Sequence, residues 1–222
     1  MQIEIKNISK SYGKKEVLKS VSFSAKEGQC IGILGANGSG KSTLLSILAG
    51  VLRPDSGEFL YDKNNLFDYK KELGTLIGYV PQGTPLIEEL SARDNLLMWY
   101  NKKHMEKELC GGVLEKLGIG EFLKLPVSKM SGGMKKRLSI GCAVFRNPPI
   151  LLLDEPMAAL DIACKKKILD YLKDHLGRGG IIIIVTHDIM ELELCDTSYI
   201  IKDGMPEEYS FMGDLNELIK RL

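Results

Sequence analysis

The sequence predicts an α/β fold: a mostly parallel core sheet flanked by helices, an N-terminal antiparallel β subdomain and an inserted helical lobe. Three observations predict it. Fully apolar runs at Ile150-Leu151-Leu152-Leu153 and Ile181-Ile182-Ile183-Ile184-Val185 alternate with amphipathic helical stretches, as strands buried on both faces do. Residues 2–8 instead alternate, with Ile3, Ile5 and Ile8 set against Gln2, Glu4 and Lys6, a half-buried antiparallel pattern. Residues 84–128 carry helical patterns with no apolar strand between them. We place the core at residues 1–83 and 148–222 and the lobe at 84–147, within one domain. A chain of 222 residues buries roughly 70% of its unfolded surface and needs no disulfide or metal staple.

Each element has a local reason. Residues 17–25 alternate around Val17, Val21 and Phe23, after a turn at Ser11-Tyr12-Gly13-Lys14-Lys15. Residues 29–34 form a short buried strand, and residues 42–49 a helix closed by Gly50. Arg53-Pro54-Asp55-Ser56-Gly57 is a turn before a strand at 58–61. A further strand spans 76–80 and stops at Pro81. Ser91 with Asp94 resembles a capping box opening a helix through Trp99 and Tyr100. A second lobe helix is expected over 107–117, despite Gly111-Gly112, and a third over 132–145, stopped by Pro148-Pro149. The apolar strand at 150–153 precedes an amphipathic helix at 161–175. Then come the strand at 181–185, a last strand at 198–202 ended by Asp203-Gly204, and a terminal helix at 214–222.

The stretch Gly35-Ala36-Asn37-Gly38-Ser39-Gly40-Lys41-Ser42-Thr43 fits the phosphate-loop pattern of Gly, four residues, then Gly-Lys-Ser. Its setting, strand before and helix after, makes it a phosphate site. Glycines let backbone N–H groups converge on an anion, and the helix N-terminus adds unpaired donors. Lys41 is expected to reach the β- and γ-phosphates of a nucleoside triphosphate, and the Ser42 hydroxyl to ligate Mg²⁺.

Composition narrows the partners. The formal net charge is +1, without the basic domain of a nucleic-acid binder, so no nucleic-acid partner is expected. Lys165-Lys166-Lys167 reads as a solvated helix face. The five cysteines form no C-x-x-C pair and no signal peptide is evident, which predicts reduced thiols in the cytosol. No apolar run approaches the roughly 18 residues of a membrane span. A soluble chain is expected, with any membrane role supplied by a partner.

Other stretches carry polar groups at strand ends. Asp154 and Glu155 follow an apolar strand, where ligands bind in open α/β sheets. Asp154 suits Mg²⁺ and Glu155 a general base for an attacking water. His187 ends another buried strand, as a γ-phosphate contact or a turn and cap residue. Gln82 and Tyr12 taken singly are a loop glutamine and a turn aromatic. Ser131-Gly132-Gly133 opens a helix, either as a second anion site or as a serine cap on a flexible turn.

The order of these stretches resembles the nucleotide-binding subunits of ATP-binding-cassette transporters, across essentially the whole chain. Residues 35–43 match the Walker A element. Val80-Pro81-Gln82 matches the glutamine loop, and Ser131-Gly132-Gly133 the signature core. Residues 151–155 match Walker B with its glutamate, Ala159-Leu160-Asp161 the aspartate loop, and His187 the switch histidine. Tyr12 sits where the family stacks an aromatic on adenine. The resemblance implies a P-loop nucleoside-triphosphatase fold that binds ATP and Mg²⁺. It implies nucleotide contacts from Tyr12, Gly35, Asn37, Gly38, Ser39, Gly40, Lys41, Ser42 and Thr43. From the opposed copy it implies contacts from Ser131, Gly132, Gly133 and Asp161. Ser42, Gln82 and Asp154 would serve the metal, and Glu155, His187, Lys41 and Gln82 catalysis.

It also implies partners: a second cassette, identical or a sister chain, paired head to tail around two ATP, and transmembrane permease subunits at the cytoplasmic face of the membrane. The signature departs from the usual pattern at Met130 and Met134, and Met157 replaces a usual threonine. Ala159 stands at the family's glycine or alanine-type position. The methionine after Ser-Gly-Gly looks like the branch holding many exporters with a separate permease. The other readings are a soluble cassette ATPase in assembly, repair or translation, and a weakly hydrolysing regulatory module.

Overall fold

The computed structural model describes residues 1–211, 213 and 215–221. The chain runs β1 (Gln2–Tyr12), β2 (Lys15–Lys26), β3 (Cys30–Leu34), α1 (Lys41–Leu48), β4 (Ser56–Tyr61), β5 (Asn64–Asn65), α2 (Lys70–Leu76) and β6 (Ile77–Val80). A helical stretch follows: α3 (Ala92–Leu97), α4 (Lys102–Leu109), α5 (Val113–Lys116) and α6 (Gly132–Ala143). Then come β7 (Ile150–Asp154), α7 (Ile162–Gly177), β8 (Ile181–Val185), α8 (Ile189–Leu192), β9 (Thr197–Lys202), β10 (Met205–Tyr209) and α9 (Leu215–Arg221).

Two sheets form. One is antiparallel, in the order β2-β1-β4-β5. The other has the order β10-β9-β3-β8-β7-β6, and every pair is parallel except β9 with β10. Parallel pairing of β3, β8, β7 and β6 has a direct consequence. Their carboxyl ends lie along one edge, so the segments after Leu34, Val185, Asp154 and Val80 leave the sheet side by side.

The all-apolar strands serve two cores at once. Ile150, Leu152, Ile181, Ile183 and Val185 face α1 and the antiparallel sheet. Leu151, Leu153, Ile182 and Ile184 face the opposite layer, with Leu138 and Ile140 of α6 and Ile168 and Leu172 of α7. Each such side chain contributes about 1.5–3 kcal/mol on burial. The helical stretch is pinned where it leaves and returns: Ser91 bridges Pro126, Ala92 N–H donates to Leu125 O (3.1 Å), and Val127 N–H donates to Leu90 O (2.9 Å). The capping box is formed, with Ser91 Oγ accepting from the Asp94 N–H and the Asp94 carboxylate accepting from the Ser91 N–H.

Several expectations are corrected. The helix expected over 107–117 is two, α4 and α5, broken at Gly111, whose φ of 105° no helix accommodates. Residue 76 ends α2 rather than starting a strand. Asp203 and Gly204 have φ of 51° and 82° and form a two-residue hairpin turn into β10, an element the sequence reading omitted. The ends of the helix expected over 214–222 lie outside the described residues; α9 covers the rest.

Candidate active site

The loop between β3 and α1 is shaped by its glycines. Gly35 has φ 142°, and a Cβ there would lie 2.6 Å from the carbonyl oxygen of Ile201. Gly40 has φ 108° and is the N-cap of α1, so no side chain caps this helix. Its first-turn N–H groups remain available to an anion. Lys41 is buried, and its ammonium donates to Gly35 O (2.7 Å) and Ala36 O (3.0 Å). Burial lowers its pKa, against the opposing charges of Glu155 and Asp154. The Ser39 hydroxyl is buried with no hydrogen-bond partner. A buried orphan hydroxyl beside converging donors is a cost that a bound phosphate would relieve.

A cleft of about 490 Å³ opens over this loop. Asn37, Gly38, Gly40, Lys41, Ser42 and Thr43 line its floor. Gln82, Glu155 and Tyr12 line its sides; Tyr12 ends β1 and is half exposed. Val17 of β2 also lines it, which the sequence reading did not single out because it looked like one more strand residue.

The two carboxylates at the end of β7 have different surroundings. Asp154 is buried, and its pKa is raised, first by desolvation; a hydrogen bond from Ser42 and the charges of Lys136 and Lys41 oppose the rise. Glu155 follows with φ 48°, and its N–H donates to Val185 O (2.9 Å). A non-glycine residue in this region carries strain, which clusters at functional sites. Its carboxylate accepts from Gln82 Nε2 at 2.9 Å. His187 lies across from them. It shares a hollow of about 210 Å³ with Glu155, Thr186 and Glu191. Desolvation and the Lys41 charge hold its pKa below the ordinary histidine value, against Glu155.

Among the described residues no cluster of three or more His, Cys, Asp or Glu side chains could hold a metal by itself. The donor set Ser42 and Asp154, hydrogen-bonded to each other beside a phosphate loop, instead fits an oxygen-loving cation that shares its shell with phosphate and water.

Ser131, Gly132, Gly133 and Asp161 are not among the residues lining the cleft. Ser131 caps α6, its hydroxyl accepting from the Met134 N–H (3.3 Å). Asp161 caps α7, accepting from the Cys164 N–H (2.9 Å), and this bond holds its carboxyl below the usual range. The two caps adjoin: a Cβ on Gly133 would lie 2.6 Å from Cys164 Sγ. The chain thus gathers Lys41, Ser42, Gln82, Asp154, Glu155 and His187 at one place and Ser131 and Asp161 at another.

The profile of the ABC transporter family matches residues 18–158. The chain belongs to the ABC transporter family. As an ABC transporter ATP-binding subunit it binds ATP, and the family is one of ATPases. Linearmycin resistance ATP-binding protein LnrL of Bacillus subtilis (strain 168) is 36% identical over 225 residues, 99% of this chain and 71% of that protein. Nod factor export ATP-binding protein I of Sinorhizobium fredii is 36% identical over 207 residues, covering 91% of this chain but only 60% of that protein. A Staphylococcus haemolyticus protein named for hemin import, HrtA, is 35% identical over 220 residues, 93% of this chain and 100% of its own. A dimeric ATP-binding cassette in a post-hydrolysis state, bound to ADP and Pi, superposes with a TM-score of 0.81 at 32% identity, over 96% of this chain and 100% of that one.

The ABC cassette also adds ion pairs and residues to the sequence reading. Two of the three lysines at 165–167 are paired, Lys165 with Asp188 and Lys167 with Glu121 (2.5 Å). Glu191, buried beside His187 and hydrogen-bonded to Thr186, is pushed up to about 7 by burial. Lys136 and Arg137, in a run of three basic residues beginning at Lys135, are buried. No periodicity separates Lys136 from the half-buried Lys135 next to it, which reaches outward to Glu88.

Proposed function

We propose that this subunit hydrolyses Mg·ATP only when paired head to tail with a second cassette, and that pairing drives export through a separate transmembrane permease at the membrane's cytoplasmic face. The observation that carries the reading is the split of polar groups. The cleft is lined by the loop residues Lys41 and Ser42 and by Gln82 and Glu155, yet the serine and glycines at 131–133 and Asp161 lie off it. A second chain, opposed, would bring its own Ser131, Gly132, Gly133 and Asp161 over this cleft.

In that complex the residues divide the work. Tyr12 stacks on the base. Gly35, Asn37, Gly38, Ser39, Gly40 and Thr43 wrap the phosphates with main-chain and hydroxyl donors, and Lys41 leaves the carbonyls of Gly35 and Ala36 for phosphate oxygens. Ser42, Asp154 and Gln82 would hold Mg²⁺, which supplies charge neutralisation on the β- and γ-phosphates. Gln82 also fixes the carboxylate of Glu155, which takes the proton of the attacking water. His187, held largely neutral, donates to the γ-phosphate.

Exposed Leu97, Met98 and Trp99 (39, 58 and 52% accessible) support a permease contact on the lobe, with Trp99 5.5 Å from the ring of Phe145. The relatives named for linearmycin resistance and Nod factor export support export, and the one named for hemin import makes direction a point to measure.

Replacing Glu155 with Gln tests the core of the reading. Turnover should fall by about 10²–10⁴-fold. Light scattering should show the variant dimeric with ATP and monomeric without it. Undiminished turnover, or a monomer at saturating ATP, would sink the reading. For transport, the expected result is co-purification with a multi-span permease from detergent-solubilised membranes; failure to find one removes that part.

A further inference from the structure

Lys136 lies on α6, five residues after Ser131, or about 7.5 Å along the helix axis. It is 6% exposed. A buried ammonium is costly unless hydrogen-bonded, and this one donates to Pro81 O (3.2 Å) and Gln82 O (3.0 Å). Those carbonyls belong to the segment just past β6, where the edge strand has left its ladder with β7. Gln82 then turns its amide onto Glu155 at 2.9 Å. The Glu155 main chain is separately fixed by its bond to Val185, which leaves the Gln82 amide as a contact on its carboxylate alone. Asp154, Glu155 and Glu191 all act on the lysine charge, which places it in the field of the site although it does not line the cleft.

We propose that Lys136 is a positioning residue for hydrolysis: its ammonium holds the main chain at Pro81 and Gln82, and so ties the Ser131 end of α6 to the Gln82–Glu155 contact. The proposal rests on the reading of Glu155 and Ser131 above. It gives each chain an internal link from the surface that meets its partner's nucleotide to the base that acts on its own. When docking of the partner shifts α6, Gln82 shifts with it, and the carboxylate is released or held accordingly.

The test is a double-mutant cycle on the full chain with Mg·ATP. Lys136→Met should lower kcat about 10- to 100-fold. ATP KM should change by less than about threefold, because the phosphate loop is untouched. Lys136→Arg keeps donors for both carbonyls and should retain most of kcat. In a Gln82→Ala background, Lys136→Met should add little further loss, since both changes break one path. Thermal melts check folding, and Lys136→Gln takes the place of methionine in the cycle if that variant does not fold. Losses that add in the cycle, or equal losses in the arginine and methionine variants, would show a packing role only and overturn the proposal. Turnover lost in the Glu155→Gln variant but intact in Lys136→Met would sink this proposal alone; turnover surviving in Glu155→Gln would sink the reading beneath it.

Discussion

Two helix N-termini in this chain follow glycine-containing stretches, Gly35–Gly40 before α1 and Ser131-Gly132-Gly133 at the start of α6, and they are built in opposite ways. At α1 the cap is Gly40, no side chain closes the first turn, and the Ser39 hydroxyl is buried without a partner. At α6 the cap is Ser131, whose hydroxyl already serves the Met134 N–H, and the neighbouring Asp161 likewise serves Cys164 at the start of α7. The first end has unmet donors and a cationic side chain folded back on its own carbonyls. The second is locally satisfied and packed against α7. The difference teaches that α1 is built to capture an anion within one chain, whereas α6 is stable without one. In the proposed pairing, its remaining donors would serve the nucleotide held by the opposed chain.

The largest effect should come from the first end. Among the described residues Lys41 is the only side-chain cation lining the cleft, and Lys41→Ala should lower hydrolysis about 10²–10³-fold in steady-state assays. ATP binding by the isolated chain should weaken as well. Undisturbed binding in this variant would erase the contrast between the two helix ends.

A second prediction concerns the buried carboxylate beside the phosphate loop. Asp154 has its folded pKa raised by burial, so the native state holds its proton more tightly than the unfolded chain does. Its contribution to stability is greatest below the ordinary carboxylate range and is lost as pH rises through the raised value. Asp154→Asn should therefore stabilise the ligand-free chain by about 1–2 kcal/mol near pH 7 in urea titrations, while abolishing Mg-dependent turnover. The gain should vanish at acid pH. Asp161 has the opposite sign: its lowered pKa means that stability is present above the usual carboxylate range and lost as pH falls through the folded value. Asp161→Asn should weaken the chain most at neutral pH. If both variants respond alike to pH, the two regions do not differ as argued.

The smallest effect sharpens the comparison most. Ser131→Ala should cost about 1 kcal/mol of stability through the lost cap. It should leave ATP affinity of the isolated chain unchanged, read by fluorescence titration, and reduce turnover only where cassettes pair. Weaker binding by the monomer would place Ser131 in the chain's own site.

Much of this was legible early because it depends on local rules. Gly35, Gly40 and Lys41 sit in a spacing only a phosphate loop requires, and the runs at 150–153 and 181–185 are too apolar for anything but strands covered on both sides. Ser91 with Asp94 announced its capping box. Other features were illegible for a physical reason. Lys136 and Lys135 look alike in sequence, and burial separates them through contacts with a loop more than fifty residues away. Lys165 and Lys167 lie on a partly solvated face, but their ion-pair partners Asp188 and Glu121 lie on distant segments that the sequence does not point to. Asp203-Gly204 was visible as a turn, but a turn becomes a hairpin only if the next segment finds an edge to pair with, as β10 does on β9.

The sequence by itself determined the buried core strands, the phosphate loop and the family, because glycine conformations, apolar periodicity and motif order are properties of neighbouring residues; β5 and β10 were not read from it. The tertiary structure alone decided which side chains meet. Parallel pairing of β3, β8, β7 and β6 brings Lys41, His187, Glu155 and Gln82 to one edge, and the packing of α6 on α7 leaves Ser131 and Asp161 elsewhere. Contacts of that kind join residues far apart in the chain, and their energies arise only after the chain has closed on itself.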